Sequence, residues 1–230
     1  MRSVNMFLLI FLAMAACSEP PRHYILGSAS HGWDGTETEI LLDAKIDQLE
    51  VRHVRRRSSN CARGHTDHIE IAGRIGKDST AALERLLPKL DDCILANGNR
   101  AVNKVFLSSG GGLLSDGYAL GRLFKKYQVE TVVTGGQKCA SSCAIAFLGG
   151  TFRTMNFDAE LLFHAPYLNK GVAIDCSDRG QVAGLLKYYK QMLGNKEGSY
   201  LLERTMSYCS ATEGWTLNSG GAELFNIVTD

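Results

Sequence analysis

Two adjacent serines lie between two cysteines in the segment Gln137–Gly150, which reads QKCASSCAIAFLGG. Ser141 follows a predicted strand and begins a predicted helix, so its hydroxyl is expected in the positive field of a helix N-terminus. An isolated serine at that position is most often an N-cap. The same position suits a nucleophile when a base and a group that binds an oxyanion are close by.

The chain supplies residues for both remaining parts of such a site. LLFHAP (Leu161–Pro166) places His164 near the C-terminal end of an apolar strand, where sites collect in parallel α/β folds. LSSGGGLLSDG (Leu107–Gly117) is a glycine-rich turn between a strand and a helix, and its backbone N–H groups can bind an oxyanion. The turn lacks the Gly-Lys-Ser/Thr of a phosphate-binding loop. Together these three segments indicate nucleophilic catalysis by a serine.

The elements that would position these residues alternate regularly from His68 onward. Apolar alternation predicts strands and 3.6-residue periodicity predicts helices. The predicted strands are His68–Gly73, Lys104–Ser109, Val129–Gly135, Phe152–Met155 and Glu160–Pro166, and the predicted helices are Thr80–Gly98 and Ser115–Tyr127, with mostly helix from Gln181. Alternating strands and helices predict an α/β fold with right-handed parallel crossovers.

In order and spacing, these motifs resemble the Clp protease proteolytic subunit and its relatives in the ClpP/crotonase superfamily, and more closely the exported ClpP-like proteins of bacteria. SSGGGLLSDG is similar to the family's Asn-Ser-Pro-Gly-Gly turn, with Gly110 in place of the proline and Gly117 in register. ASSCAIAFLGG resembles the family's Ala-Ser-Met-Gly-Ala helix, and LLFHAP its Met-Ile-His-Gln-Pro segment. The resemblance places Ser141 at the nucleophile and His164 at the base.

The resemblance extends over roughly residues 68 to 230 and ends with LNSGGAELFNIVTD (Leu217–Asp230), similar to the family's Ser-Ala-x-Glu-Ala-x-x-Tyr-Gly-Leu-Val-Asp. It implies a ClpP/crotonase-like spiral of parallel β-β-α units with a C-terminal helical region. It also implies a serine hydrolase that acts on a peptide or protein and needs no cofactor or metal. The backbone N–H groups of Gly111 and Ser142 would form the oxyanion hole.

The acid of the family's triad has no counterpart by register, because the matching position here is Gly214. Candidate acids nearby are Glu213, Asp175 and Asp178. A dyad without an acid, or a backbone carbonyl that orients His164, are the other two possibilities. Loss of the orienting acid lowers the rate by orders of magnitude without abolishing the chemistry.

Two other functions are compatible with this scaffold. The crotonase branch acts on acyl-CoA, but its members usually lack this Ser/His pair. A non-catalytic binding or assembly protein is the alternative from a different class, and the missing acid favours it. ClpP-like folds oligomerise, and Gln181–Gln191 lies where the family has its protomer-contact arm, so a homo-oligomer is possible.

The first residues predict export. Arg2, the apolar run from Met6 to Met14 and the sequence Ala-Ala-Cys at 15–17 form a secretory signal peptide over residues 1–17. Cys17 resembles the lipidated cysteine of a bacterial lipobox; ordinary cleavage nearby is the alternative. We expect a periplasm-facing protein of the cell envelope that reaches the membrane through a lipid anchor.

Behind the signal peptide, residues 18–66 are predicted to be a tether and N-terminal extension, and residues 67–230 the ClpP-like domain. The net charge is +1, so nothing in the overall balance favours nucleic acid as a partner. The basic cluster RHVRRR (Arg52–Arg57) is interpreted as a solvated surface run.

Six cysteines remain after Cys17, and an even number in an exported chain predicts disulfides. Cys61 shortly precedes the strand at His68, and Cys93 lies near the end of the helix predicted to run back beside that strand. A Cys61–Cys93 bond is therefore expected. Cys176 and Cys209 flank the helical segment after His164 and are expected to form a second bond.

Cys139 and Cys143 stand on either side of Ser141, four residues apart. Across a strand-to-helix junction their Cα separation approaches the roughly 7 Å limit for a disulfide. If they bond, they brace the turn that carries the nucleophile. If they do not, Cys143 is a small buried residue of the helix. The sequence leaves this pairing open.

Overall fold

The computed structural model describes residues 29–31, 37–169, 174–210 and 212–229. The predicted signal peptide and Cys17 lie outside these ranges. Within them, no helix is long and apolar enough to cross a membrane.

The first four strands form an antiparallel sheet: β1 (Ala29–His31), β2 (Glu37–Ile46), β3 (Leu49–Arg57) and β4 (His65–Ile75). Strands β2 and β3 lie in the segment predicted to be an N-terminal extension, and residue 67, the predicted start of the ClpP-like domain, falls inside β4. The physical reason is alternation in β3. Leu49 and Val51 point into the core, whereas Arg52 and Arg56 are exposed on the other face.

The basic cluster Arg52–Arg57 is largely paired with acids. Arg52 lies 3.5 Å from Asp43 and 3.6 Å from Glu70, and Arg57 lies 2.8 Å from Glu37. These are cross-strand ion pairs on an exposed face, which contribute little to stability individually. The exposed Arg52, Arg56 and Arg57 agree with the predicted solvated surface run, whereas His53 and Val54 are buried and do not.

The central segment contains α1 (Ser79–Leu86), a 3₁₀ turn (Leu87–Lys89), β5 (Lys104–Gly112), α2 (Leu114–Lys126), β6 (Glu130–Val133), β7 (Lys138–Ala140) and α3 (Ser142–Phe147). The helix predicted over Thr80–Gly98 is shorter than expected. Pro88 lies in the 3₁₀ turn that follows α1 and has no N–H to continue a helical ladder. Residues 90–98, the rest of the predicted helix, are not helical.

Strand β5 divides the sheet into two arms. Its first residues pair in parallel with β6, and Ser109 near its end pairs with Cys139 of β7. The next strands, β8 (Phe152–Met155) and β9 (Glu160–Phe163), pair in parallel with β6 and β7 respectively. The ends of β5, β7 and β9 therefore meet on one arm, and the segments that follow these ends carry the candidate site residues.

The C-terminal region is mostly helical, as predicted. It contains the short strands β10 (Leu168–Asn169) and β11 (Ile174–Asp175), the helices α4 (Arg179–Leu193) and α5 (Asn195–Met206), the strand β12 (Trp215–Leu217) antiparallel to β9, and the helix α6 (Ser219–Leu224). The buried Tyr188 of α4 donates a hydrogen bond to the carbonyl of Ile145 in α3 at 2.9 Å. The α/β fold class predicted from the sequence is confirmed.

All six cysteines of the described region form disulfides. Cys61–Cys93 and Cys176–Cys209 are the two expected bonds. Cys139 and Cys143 also bond, with a Cα separation of 5.2 Å, which resolves the pairing that the sequence left open. The route to Cys93 differs from the expected one, because an irregular segment and not a helix end brings it to Cys61: an isolated bridge pairs Cys61 with Leu95.

A charge network ties the Cys61–Cys93 loop to the β3–β4 hairpin. Asp67 is buried and accepts hydrogen bonds from His53 at 3.0 Å and from Arg55 at 2.8 Å. Arg55 also donates to Asp91 at 2.7 Å, and the Asp91 N–H donates to Asp67. Burial by itself raises the pKa of Asp67, but the hydrogen bonds from His53 and Arg55 outweigh it and hold that pKa well below its usual range.

Candidate active site

Ser141 occupies a strained turn between β7 and α3. Its backbone has φ 56° and ψ −124°, a conformation that L-residues rarely adopt and that costs on the order of 1–3 kcal/mol. The turn is held from both sides, because the Ser141 N–H donates to the Leu162 carbonyl at 2.8 Å and the Ser141 carbonyl accepts from the Ile145 N–H at 3.0 Å. Such turns present a serine hydroxyl at the end of a sheet.

His164 follows β9 directly and is half-buried. Its Nδ1 lies 2.9 Å from the carbonyl oxygen of Ala165. Since a carbonyl can only accept, Nδ1 carries the proton in the neutral ring and Nε2 keeps a free lone pair. The ring of Tyr167 lies beside it, with the two centroids 5.6 Å apart. The arrangement gives the neutral histidine the tautomer that a general base needs.

The two side chains line one cavity of about 320 Å³. The structure therefore brings Ser141, His164 and the glycine turn together from three separate strand ends. The described residues that line the cavity are Gly73, Arg74, Gly110, Gly111, Gly112, Ser141, His164 and Tyr167.

Ser142 is placed differently from its neighbour. It is 1% exposed and packs against α2, where a Cβ added to Gly117 would lie 2.9 Å from the Ser142 Cβ. Within the described structure its hydroxyl is buried without a hydrogen-bond partner. Its side chain is absent from the cavity lining, so its possible contribution to the site is its backbone N–H.

Gly111 lies against the turn at Ser141. It has φ 102°, and a Cβ placed there would lie 2.7 Å from the Cβ of Ser141, so only glycine fits without a shift. The Gly111 N–H donates to the Ser109 hydroxyl at 3.0 Å. To bind an oxyanion, this N–H must exchange that partner or share its proton with both acceptors.

The position that matches the family's acid is sterically closed. A Cβ at Gly214 would lie 2.6 Å from the carbonyl oxygen of Phe163 and equally close to the Leu162 side chain. Gly214 precedes β12, whose Trp215 pairs with Phe163. The close approach of these two strands therefore requires glycine at this position.

The three candidate acids have other surroundings. Asp178 is the N-cap of α4 and accepts from the Gln181 N–H at 2.8 Å. Asp175 accepts from the Ser177 N–H at 2.9 Å, and Glu213 is exposed. Among the described residues, no carboxylate lines the cavity or hydrogen-bonds to His164. Of the possibilities left open by the sequence, the backbone carbonyl is the one that contacts the ring.

Arg74, Tyr167, Gly73 and Gly112 belong to the cavity but were missed by sequence reasoning. Arg74 pairs across the sheet with Gly111. Its position at the end of β4, next to the glycine turn that ends the neighbouring parallel strand, is a signal that could have identified it. Tyr167 follows His164 by three residues, and its ring contact with the histidine has no sequence signature.

No protein-family model matches the sequence, and no curated protein matches it. The structure resembles a serine-to-alanine variant of the membrane-bound stomatin-specific protease 1510-N, with a TM-score of 0.53 and 14% identity over 69% of this chain and 75% of that one. A second variant of that protease, in complex with a substrate peptide, gives the same TM-score and identity over 69% and 71% of the two chains. An asparagine-to-aspartate variant of ClpP1 from Listeria monocytogenes matches at a TM-score of 0.49 and 14% identity, over 67% and 84%. The chain has a ClpP-like fold.

Proposed function

We propose that this protein is a serine hydrolase that cleaves peptide bonds, with Ser141 as the nucleophile and His164 as the base. The observation that carries the proposal is the convergence of both side chains and the Gly110–Gly112 turn on one cavity. The strained backbone of Ser141 and the tautomer favoured at His164 support it. The structural neighbours that share the fold are proteases.

The proposed reaction begins with attack of the Ser141 hydroxyl on the scissile carbonyl while Nε2 of His164 takes the proton. The backbone N–H groups of Gly111 and Ser142 stabilise the resulting oxyanion, and each such donor is worth on the order of 2.7–4 kcal/mol in other hydrolases. His164 then returns the proton to the leaving amine. Water then attacks the acyl-enzyme while His164 accepts its proton. His164 passes that proton to the Ser141 oxygen as the acid product leaves.

The Ala165 carbonyl orients the imidazole in place of an acid. It fixes the tautomer through the hydrogen bond to Nδ1, but it carries no full charge to stabilise the imidazolium that forms during the reaction. We therefore expect a slower enzyme than one with a complete triad.

Labelling by a fluorophosphonate probe tests the proposal directly. Wild-type protein should be labelled on Ser141, and Ser141→Ala and His164→Ala should each lose labelling while keeping a wild-type thermal unfolding midpoint. Labelled wild-type protein should also cleave members of a peptide library. Absence of labelling in folded protein would contradict the proposal and favour the second candidate.

That second candidate is a binding or assembly protein on the same scaffold. The closure of Gly214 to any side chain favours it, since the acid of the family's triad has no room at its usual register. The helix α4 contains the predicted protomer-contact segment Gln181–Gln191. Sedimentation measurements would test the homo-oligomer, which either function can use.

The proposal includes export and attachment to the membrane through a lipid on Cys17. The three disulfides of the described region support an oxidising compartment. Wild-type protein should fractionate with membranes, and Cys17→Ser should release it as a soluble periplasmic protein. A wild type that is already soluble would contradict the lipid anchor but leave the hydrolase proposal intact.

A further inference from the structure

Arg74 is the fixed positive charge at the candidate active site. Of the described residues that line the cavity, it alone is permanently ionised, and the others are glycines, Ser141, His164 and Tyr167. None of the described lining residues has a carboxylate that could neutralise it. The cavity's electrostatic potential is therefore expected to be positive beside the nucleophile.

The backbone holds Arg74 at this place from two sides. Its N–H donates to the Gln48 carbonyl at 2.9 Å, and its Cα lies opposite Gly111 of β5. The β4–β5 register shifts between Ala72 and Arg74, the type of irregularity that redirects side chains near active sites. Gly73 has φ 92°, and because it has no Cβ its backbone can lie close to the Gln48 carbonyl.

The side chain of Arg74 is exposed, and within the described structure it makes no hydrogen bond or ion pair. Other arginines differ in this respect: Arg52, Arg55, Arg63 and Arg100 each face a carboxylate within 4 Å. An arginine without a partner at the edge of a cavity can give its guanidinium to a ligand without first losing an internal ion pair. Its planar donors match a carboxylate in a bidentate manner.

We infer that Arg74 selects substrates that carry a carboxylate close to the scissile bond. This inference rests on the proposed function and names a substrate class for it. An acidic side chain of the peptide and the free carboxylate of its C-terminus present the same chemistry to Arg74. Cationic side chains at that subsite are rejected by the like charge.

Peptide binding to the inactive Ser141→Ala protein tests the inference independently of turnover. Fluorescent peptides that differ at one scanned position, with Glu, Gln or Lys, distinguish the side-chain source. Matched peptides with a free or amidated C-terminus distinguish the terminal source. We expect the carboxylate form of one of the two pairs to bind about tenfold more tightly, the ratio expected for a charge-assisted hydrogen bond at a partly exposed site.

In the Ser141→Ala background, Arg74→Gln should remove this preference and Arg74→Glu should reverse it in favour of Lys. Arg85→Gln is the matched control, because Arg85 is an exposed arginine of α1 that does not line the cavity, and it should keep the preference. Equal binding of all peptides, or a preference that survives Arg74→Gln, would overturn the inference.

Fluorophosphonate labelling of the wild type separates failure of the inference from failure of the proposed function. Labelling together with equal peptide binding overturns the role of Arg74 alone. Absence of labelling together with an Arg74-dependent preference overturns hydrolysis, while recognition of a carboxylate ligand by Arg74 stands.

Discussion

At the scale of single residues, two serines that are neighbours in the chain have opposite surroundings. Ser141 opens onto the cavity with His164, whereas the Ser142 hydroxyl is buried against α2. The strained turn at Ser141 produces this difference, because the positive φ directs one side chain outward and lets the next enter the helix interface.

The substitution Ser142→Ala should therefore preserve fluorophosphonate labelling, since alanine keeps the backbone N–H. It should also raise the free energy of unfolding by about 1 kcal/mol, because a buried hydroxyl without a partner is removed. Urea denaturation and labelling of the same preparation measure both effects. If Ser142→Ala loses labelling while Ser141→Ala retains it, the nucleophile has been assigned to the wrong serine.

An acid introduced at position 214, which matches the acid of the family's triad, should not increase the labelling rate of this protein. Gly214→Asp places a Cβ 2.6 Å from the Phe163 carbonyl, so β12 has to move away from β9. We expect a loss of about 1–3 kcal/mol in the free energy of unfolding and no gain in the labelling rate. Glu213→Asp is the control, because Glu213 is exposed and should tolerate the change. A faster labelling rate in Gly214→Asp would show that the site has room for an acid.

Among the site residues, Ser141, His164 and Gly111 could be proposed from sequence because each belongs to a short local motif at the end of a predicted strand. The orienting carbonyl of Ala165 could not, since every residue has a carbonyl and only the fold aims it. Arg74 was missed for a related reason: parallel pairing of β4 with β5 brings it to the glycine turn, and no spacing in the sequence records that pairing.

At the scale of elements, the disulfide that closes a short loop and those that close long loops are expected to affect different properties of the protein. In the chain-entropy view, a loop of a few residues contributes about 2 kcal/mol and one of some thirty residues about 4 kcal/mol. Cys139–Cys143 closes a separation of 4 residues around Ser141, whereas Cys61–Cys93 closes a separation of 32. The short bond therefore matters more for the geometry of the site than for global stability.

Replacing both Cys139 and Cys143 with serine should thus slow labelling of Ser141 more than it lowers the thermal unfolding midpoint. Replacing Cys61 and Cys93 should do the reverse, with the larger loss in unfolding midpoint and little change in labelling per folded molecule. Differential scanning fluorimetry alongside probe kinetics compares the two pairs. Equal labelling rates in both double variants would show that the Cys139–Cys143 bond does not brace the turn at Ser141.

The strands β5, β6, β8 and β9 and the helix α2 could be predicted because apolar strands alternate with amphipathic helices there. The strand β7 was not predicted, because its three residues, Lys138–Ala140, are too few to show an alternating pattern. The hairpin of β2 and β3 could not be assigned, since its strands mix apolar and basic residues and β2 contains a register shift between Ile40 and Leu42. The end of α1 at Leu86 was missed because the leucine periodicity continues through Pro88, although the proline ends the helix.

At the scale of the whole molecule, the charge network around Asp67 should set its acid stability. The pKa of Asp67 is lower in the folded protein than in the unfolded chain, so its ionised form stabilises the fold above the unfolded pKa of about 4. That contribution is lost as the pH falls through the folded pKa. The free energy of unfolding should accordingly fall steadily below about pH 5.

Asp67→Asn should flatten this dependence and should lower stability at neutral pH by about 3–5 kcal/mol, because Arg55 loses a buried partner. Urea titrations at a series of pH values measure both quantities. Asp116→Asn, at a half-buried position in the first turn of α2 and outside this charge network, is the control and should leave the pH profile unchanged. A steep acid dependence that persists in Asp67→Asn would assign it to other carboxylates.

The buried Cys139–Cys143 bond also makes the turn at Ser141 depend on the redox conditions that the chain has met. A chain still in a reducing compartment carries two thiols on either side of Ser141, so the turn that presents the hydroxyl is not yet braced. Both cysteines are completely buried in the finished fold, which keeps soluble reductants away from the bond once it has closed. Under the proposed export and hydrolase function, we therefore expect oxidation to be a one-way maturation step, so that full activity develops only after the chain has left the reducing compartment in which it was made.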